Sequence, residues 1–216
     1  MFADEAKWFG DIFKGFDPSE IFPVLNIGSS TGEFRKIGQP WIHEFIFKDL
    51  EQRGKVVHMD MQSAPGVDLV GDLSDRRFID KLKQMRFKSI ICSNLLEHVE
   101  NRKEICNVLL EIIDQGYMFI SCPTDYPYHP DPIDTMFRPS FEELIQLFPG
   151  TQVIHKATIT PGNYFDALKK NPMIMIKTVI RLFLPFYKPS RWLIDANYFR
   201  WLFTDFKTIA LILKKT

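Results

Sequence analysis

Along this chain, short apolar runs that end on glycine or an acid alternate with segments whose apolar residues recur at helical spacing. That alternation predicts a doubly wound, mostly parallel α/β sheet rather than a sandwich or a bundle. Pro23 to Ile27 reads as the first strand and closes on Gly28. From Pro40 to Arg53, the positions of Trp41, Ile42, Phe45, Ile46 and Leu50 predict a helix, with Pro40 suited to its first turn and Gly54 to its end. Strands are predicted over 55–59 and 67–70, the first closing on Asp60 and the second on Gly71 and Asp72. Helix 75–85, strand 89–92, helix 101–114 and strand 117–121 continue the alternation. The stretch from Cys122 to Pro139 then carries Pro123, Pro127, Pro130, Pro132 and Pro139, a density that predicts a long ordered loop without helix or central strand. Ser140 with Glu143 three residues on forms a capping box that opens a helix reaching Phe148. A sixth strand over 151–159, helices over 165–187 and 190–203, and a final strand over 207–213 bring the sheet to seven strands, with a helical insertion before the last.

Composition agrees with an ordinary folded protein. The 216 residues are 45% hydrophobic and 25% charged, without repeats, and one domain is the expectation for this length. Cys92, Cys106 and Cys122 form no CxxC pair, so neither a disulfide framework nor a zinc ribbon is expected and a reducing, cytoplasmic location fits. Residues 1–16 mix charges with aromatics and lack the apolar stretch of a secretion signal. Lys177, Arg181 and Lys188 interrupt the most apolar region, so no simple membrane span is predicted.

Charge alters this picture in one place. Lys and Arg balance Asp and Glu at 27 each, yet residues 167–216 hold ten Lys or Arg against Asp195 and Asp205, a local charge of +8 offset by −8 elsewhere. In that segment Lys170, Lys177, Arg181 and Lys188 form a narrow stripe among Met173, Ile174, Ile176, Val179, Ile180, Leu182, Phe183, Leu184 and Phe186. Three readings fit: a lid over an acceptor pocket, an interfacial helix at residues 167–188 whose cations meet anionic lipid, or a helix buried against the domain with snorkelling lysine stems. Nucleic acid is not an expected partner, because the basic residues are mixed with large aliphatics.

The candidate chemistry sits where the strands end. A tight glycine turn at the carboxyl edge of a parallel sheet exposes backbone N–H groups to a ligand, and Gly28-Ser29-Ser30-Thr31-Gly32-Glu33 occupies that place. A dinucleotide fingerprint requires glycine where Ser30 and Glu33 stand, and a P-loop requires Gly-Lys-Ser or Gly-Lys-Thr, so NAD is disfavoured and the P-loop excluded. A purely structural turn is the competing reading. Asp60, about 30 residues on, is suited to both hydroxyls of a ribose, and Asp72 to an adenine amino group.

With these residues the chain resembles the class I S-adenosylmethionine-dependent methyltransferases, through Val24 to Glu33, Val57-His58-Met59-Asp60, Val70-Gly71-Asp72-Leu73 and Ser93-Asn94-Leu95-Leu96-Glu97-His98-Val99. The resemblance covers about 22–160 and implies a Rossmann-like sheet, S-adenosylmethionine as cofactor and methyl transfer as the reaction. It implies that Gly28 to Gly32 hold the methionine moiety, Asp60 and Met61 the ribose, Asp72 and Leu73 the adenine, and that Ser93, Asn94 and Leu95 lie near the sulfonium. Asn26 replaces the family's usual acid and Ser30 its middle glycine. In this frame residues 1–21 are an N-terminal helical segment, 22–160 the cofactor-binding core, 161–205 a helical lid or interfacial insertion and 206–216 the final strand.

The sulfonium already carries the activation, so a base is needed only for a hydroxyl or protonated amine acceptor. His98, His129 and Asp131 are the catalytic candidates, with packing or helix capping the other reading of His98. In the proline-rich loop, Tyr128, Asp134 and Arg138 are the expected substrate contacts, Arg138 pairing either with an anionic group of the substrate or with a neighbouring acid. Some methyltransferases carry a Glu-x-x-Glu-His metal motif at this point. Asn94 replaces its first glutamate, leaving adjacent Glu97 and His98, and no metal is expected. The acceptor class is a small molecule, a glycan or a lipid-linked compound, methylated on oxygen or else on nitrogen, with peripheral membrane contact through 167–188 as an accompanying expectation; a catalytically silent nucleoside-binding module and a scaffold whose C-terminal helices recruit a partner or membrane are the competing readings.

Overall fold

Seven strands make one sheet: β1 (Val24–Ile27), β2 (Val56–Asp60), β3 (Leu69–Val70), β4 (Ser89–Ser93), β5 (Gly116–Asp125), β6 (Thr151–Ile159) and β7 (Lys207–Lys215), in the order β3-β2-β1-β4-β5-β7-β6. In this computed structural model the described residues are 1–129, 133–169, 172–182, 184, 186, 189, 192 and 201–216. The pairings among β1 to β5 are parallel, and β7 runs antiparallel to both β5 and β6. Central parallel strands are covered on both faces, which is why β1 and β4 do not alternate: Val24, Leu25 and Ile27, and Ile90, Ile91 and Cys92, are all buried, with Asn26 the polar exception within β1. Leu25 and Ile27 enter one core cluster and Val24 the other.

Helices fill both faces. On one lie α1 (Ala3–Lys14), the short α2 (Pro18–Ile21), α3 (Pro40–Ile42) and α4 (Lys48–Arg53). Phe9 and Phe13 of α1 pack on Phe119 of β5, with ring centroids 6.4 and 4.1 Å apart. On the opposite face are α5 (Arg76–Gln84), α6 (Arg102–Ile112) and α7 (Phe141–Gln146), whose Ile79, Leu82, Leu109, Ile112 and Leu144 cover Leu25, Ile90 and Met118. The helix expected over 40–53 consists of α3 and α4 joined by a wider π turn at His43–Phe47. The Ser140 capping box is present: its hydroxyl accepts from Glu143 N–H at 3.2 Å, and Glu143 accepts from Ser140 N–H at 2.8 Å.

The structure corrects the expectation for Pro123. β5 does not stop at Ser121 but continues through Pro123 to Asp125, with an irregular register between those last two. Its pairing with β4 ends at Ser93 and Ser121, so beyond that point only β7 flanks it. A proline lacks a donor, and a strand with one free side tolerates that.

Between β6 and β7 lies the insertion. A single helix was expected from Phe165, but α8 (Tyr164–Lys169) and α9 (Pro172–Leu182) are separate, and Pro172 at the start of α9 is a position where the missing N–H costs nothing. The helix expected over 190–203 falls mostly on residues outside those described. The neck of the insertion is tied: Phe206 N–H donates to the Gly162 carbonyl at 2.8 Å, and Asn163 donates to Asp205 at 3.2 Å.

Candidate functional site

The carboxyl ends of β1, β2, β4 and β5 come together along one edge, and the loops leaving them form the candidate site. The turn after β1 is held in a left-handed conformation, with Gly28 at φ 65° and Ser30 at 54°. At Gly28 a Cβ would also stand 3.1 Å from the end of the Leu95 side chain, so glycine is favoured there by conformation and by space. Gly32 has a different reason. Its N–H donates to the Pro65 carbonyl at 2.8 Å, and its backbone abuts Gly66, where a Cβ would lie 2.7 Å from the Gly32 Cα. The second glycine thus serves the packing of loop on loop. Thr31 accepts from Phe34 N–H through its hydroxyl at 3.0 Å, and Glu33 is exposed.

Arg35 locks this assembly. Its buried guanidinium donates to the carbonyls of Ser29 (2.7 Å), Ser30 (2.8 Å) and Gly66 (2.6 Å). No feature of its spacing in the sequence marks it. Asp60 closes the cradle at the end of β2: Oδ2 accepts from Ser30 N–H at 2.8 Å and Oδ1 from Gln62 N–H at 3.1 Å, while the residue stays partly exposed. Met61 is 67% exposed beside it. Asp72 is exposed after β3 and bonded to Ser74, whereas the Leu73 side chain lies in the core, leaving only its backbone to meet a ligand. Asn26 is also turned inward, buried and 3.0 Å from His58 Nδ1.

Beyond β4, Asn94 adopts φ 50°, another left-handed residue at the sheet edge, with Ser93 and Leu95 partly exposed on either side. Ser93 Oγ is buried without a hydrogen-bond partner among the described residues. Asn94 Nδ2 donates to Glu5 Oε1 at 2.9 Å, and Ser121 Oγ donates to the same oxygen at 2.6 Å. Glu5 comes from α1, is fully buried, and lies in line with Phe9 and Phe13 on the helix's apolar face. An acid on that stripe was the signal available in the sequence for its role.

The other side of the edge is built from titratable side chains. Glu97 and His98 lie in a short 3-10 turn, Leu96–His98, and His129 in the loop after β5. His98 Nδ1 donates to the Ile133 carbonyl, and its Nε2 is 3.8 Å from Glu97 Oε1. His129 Nδ1 faces Asp134 Oδ2 at 3.1 Å and the Pro127 carbonyl at 3.3 Å, and the two imidazoles meet edge to face at 5.2 Å. Glu97 is 1% exposed, and burial pushes its pKa up to about 7. Burial also holds His129 below its ordinary value.

Asp134 and Arg138, expected to face the substrate, hold each other. Arg138 Nη1 and Nη2 donate to the two Asp134 oxygens at 3.1 and 2.6 Å, and the remaining guanidinium donors go to the carbonyls of Tyr126, Pro127 and Phe137. Burial works to raise the Asp134 pKa, but the Arg138 bonds and the N–H groups of His129 and Met136 outweigh it and hold it at about 2. With its donors spent, Arg138 fastens the proline-rich loop instead of binding an anion. Tyr128 is half exposed on that loop, and Asp131 lies outside the described residues.

On the insertion, α9 exposes Met173, Ile176 and Ile180 at helical spacing with Lys177 among them, while Thr178 is buried. Among the described residues, no helix is long and apolar enough to cross a membrane.

No protein-family model and no curated protein sequence matches the chain. Solved structures do. A protein of Galdieria sulphuraria assigned as a sarcosine dimethylglycine methyltransferase superposes with a TM-score of 0.58 at 10% identity, over 98% of this chain and 84% of that one. Coclaurine N-methyltransferase, bound to N-methylheliamine and SAH, gives 0.51 at 15% identity over 89% of this chain and 65% of that enzyme, so the chain spans just under two thirds of its length. The [4+2]-cyclase SpnF gives 0.51 at 11% identity over 97% and 80%. Likeness at these identities is a likeness of fold, and by fold this chain stands with the class I S-adenosylmethionine-dependent methyltransferases.

Proposed function

We propose that the chain is an S-adenosylmethionine-dependent methyltransferase acting on an oxygen of a small-molecule, glycan or lipid-linked acceptor. The observation that carries this reading is the cradle made by the left-handed Gly28–Ser30 turn and Asp60 at the ends of two adjoining parallel strands. Its residues fit the cofactor: Asp60 is already oriented by Ser30 and keeps lone pairs for ribose hydroxyls, and Ser93 Oγ is an unpaired polar atom beside Asn94. When bound, the cofactor supplies a methyl group on a sulfonium that needs no further activation. The chain's own task is alignment and exclusion of water. Glu5, by fixing the Asn94 amide, sets the rim where the methyl group meets the acceptor. His98 and His129 each have Nδ1 committed to an acceptor, which leaves Nε2 with its lone pair toward a hydroxyl's proton. The exposed apolar side of α9 with Lys177 supports an acceptor, or a lipid surface carrying it, that meets the insertion.

Calorimetry tests the cofactor site. Saturable S-adenosylmethionine binding is expected, weakened about tenfold by Asp60→Asn, which keeps the acceptor for Ser30 N–H and removes the charge. Absence of binding at millimolar cofactor overturns the reading. The cyclase among the structural neighbours favours one alternative, a nucleoside-binding module with another reaction or none. Binding without methylated product across hydroxylated acceptors would select it.

A further inference from the structure

Glu97, His98 and His129 are not close in sequence as a set, yet their donor atoms all lie within 4.8 Å of one another. The expectation of no metal rested on Glu97 and His98 being sequence neighbours that need not face one ion; the third donor arrives from the loop after β5. We propose that these three side chains form a binding site for one divalent transition-metal ion of the zinc type, on the acceptor side of the cleft. With an ion bound, both Nε2 lone pairs are its ligands, so the histidines serve as bases only in the metal-free chain, and metal binding is measured apart from methyl transfer.

Two features of the surroundings support it. The first is the tautomer of each imidazole. A carbonyl oxygen only accepts, so the contact of His98 Nδ1 with the Ile133 carbonyl places the proton on Nδ1 and frees Nε2. His129 Nδ1 faces two acceptors, the Pro127 carbonyl and the Asp134 carboxylate, with the same result. Asp134 is itself fixed by Arg138, so a carboxylate orients an imidazole as second partners of metal-bound histidines do.

The second feature is the carboxylate. Glu97 is buried, and besides its own backbone N–H its side-chain oxygens meet the Cys122 thiol at 3.8 Å and His98 Nε2 at 3.8 Å, with no lysine or arginine bridged to them among the described residues. A buried carboxylate is stable as an anion when it is paired or bound to a metal. A dication supplies that charge.

Ligand type narrows the ion. Two nitrogens and one carboxylate suit zinc, cobalt, manganese or iron, whereas magnesium and calcium prefer oxygen alone. Ligand atoms on a tetrahedral ion stand about 3.4 Å apart, so the cluster closes on an ion by side-chain shifts of about 1 Å. Three protein ligands leave a position for a fourth, and an oxygen of the acceptor is the donor that the site's place on the cleft makes available.

The test uses the chain stripped with chelator and titrated with Co2+, followed by its visible absorption and by elemental analysis after dialysis against Zn2+. Expected are one ion per chain, cobalt bands of a four- or five-coordinate site, and affinity lowered by at least about 10- to 100-fold in His98→Gln and in His129→Gln. His155→Gln, at an exposed histidine of β6, should bind as the parent does. Glu97→Gln adds a third readout where it folds; His129, the most exposed of the three ligands, carries the test if it does not. No stoichiometric metal, or cobalt bands unchanged in both histidine variants, overturns the site. S-adenosylmethionine calorimetry on the same samples reports the cofactor site separately.

Discussion

The two halves of the cleft are made of different material. Around β1 and β2 the contacts run through backbone: Arg35 grips three carbonyls, Asp60 orients an N–H, and Gly32 lies against Gly66. Around β4 and β5 they run through buried and partly buried side chains with ionisable groups: Glu5, Glu97, His98, His129, Asp134 and Arg138. A backbone cradle suits a ligand common to many proteins of one fold, since it survives change in most side chains. A side-chain cluster is where one chain differs from its structural neighbours.

The sharpest break in this comparison should come from Asp134→Ala. It leaves the Arg138 guanidinium buried without its carboxylate, and a loss of about 3–5 kcal/mol is expected in urea unfolding. Next comes Gly66→Ala, on the backbone side. A Cβ there would sit 2.7 Å from Gly32 Cα at a φ of 85°, and a cost of roughly 1–3 kcal/mol is expected together with weakened cofactor binding. If that variant bound S-adenosylmethionine as tightly as the parent, the turn would not be shaped by this packing. Glu5→Gln is gentler. It keeps one acceptor for Asn94 and Ser121 but removes the charge, and a loss of about 1–2 kcal/mol by thermal or urea melting is expected.

The smallest effect belongs to a surface network outside the cleft. Arg76 and Lys83 of α5 hydrogen-bond Glu111 of α6 and hold its pKa at about 2, against 4.5 for a free side chain. A depressed carboxylate gives stability that is present above about pH 4.5 and is lost as pH falls toward 2. Solvent screening limits it to at most about 1 kcal/mol, so Glu111→Gln should shift the melting temperature slightly at pH 6 and hardly at all near pH 2.

The backbone half was the more legible in sequence, because strand ends, turn glycines and closing acids leave local marks at fixed spacings. β6 falls on the residues expected, 151–159, and Ser140 caps α7 through the hydroxyl and glutamate that predicted it. The side-chain half was legible only in part. His98 and His129 stood out by residue type, but nothing local tells that Glu5 meets Ser121 across 116 positions, or that Arg138 prefers Asp134 to a ligand. Pro123 misled for a related reason: the rule against proline in strands holds where both sides are paired, and which side is free depends on where β4 ends.

The tie between Gly162 and Phe206 has a consequence for how such a chain can change over generations. The base of the excursion between β6 and β7 is closed by its own hydrogen bonds, so the junction of the two strands does not depend on the length of chain between them. Doubling the length of a flexible loop costs only about 0.6 kcal/mol of closure entropy. The segment is therefore a cassette: it can be lengthened or shortened over generations while the strands on either side keep their register.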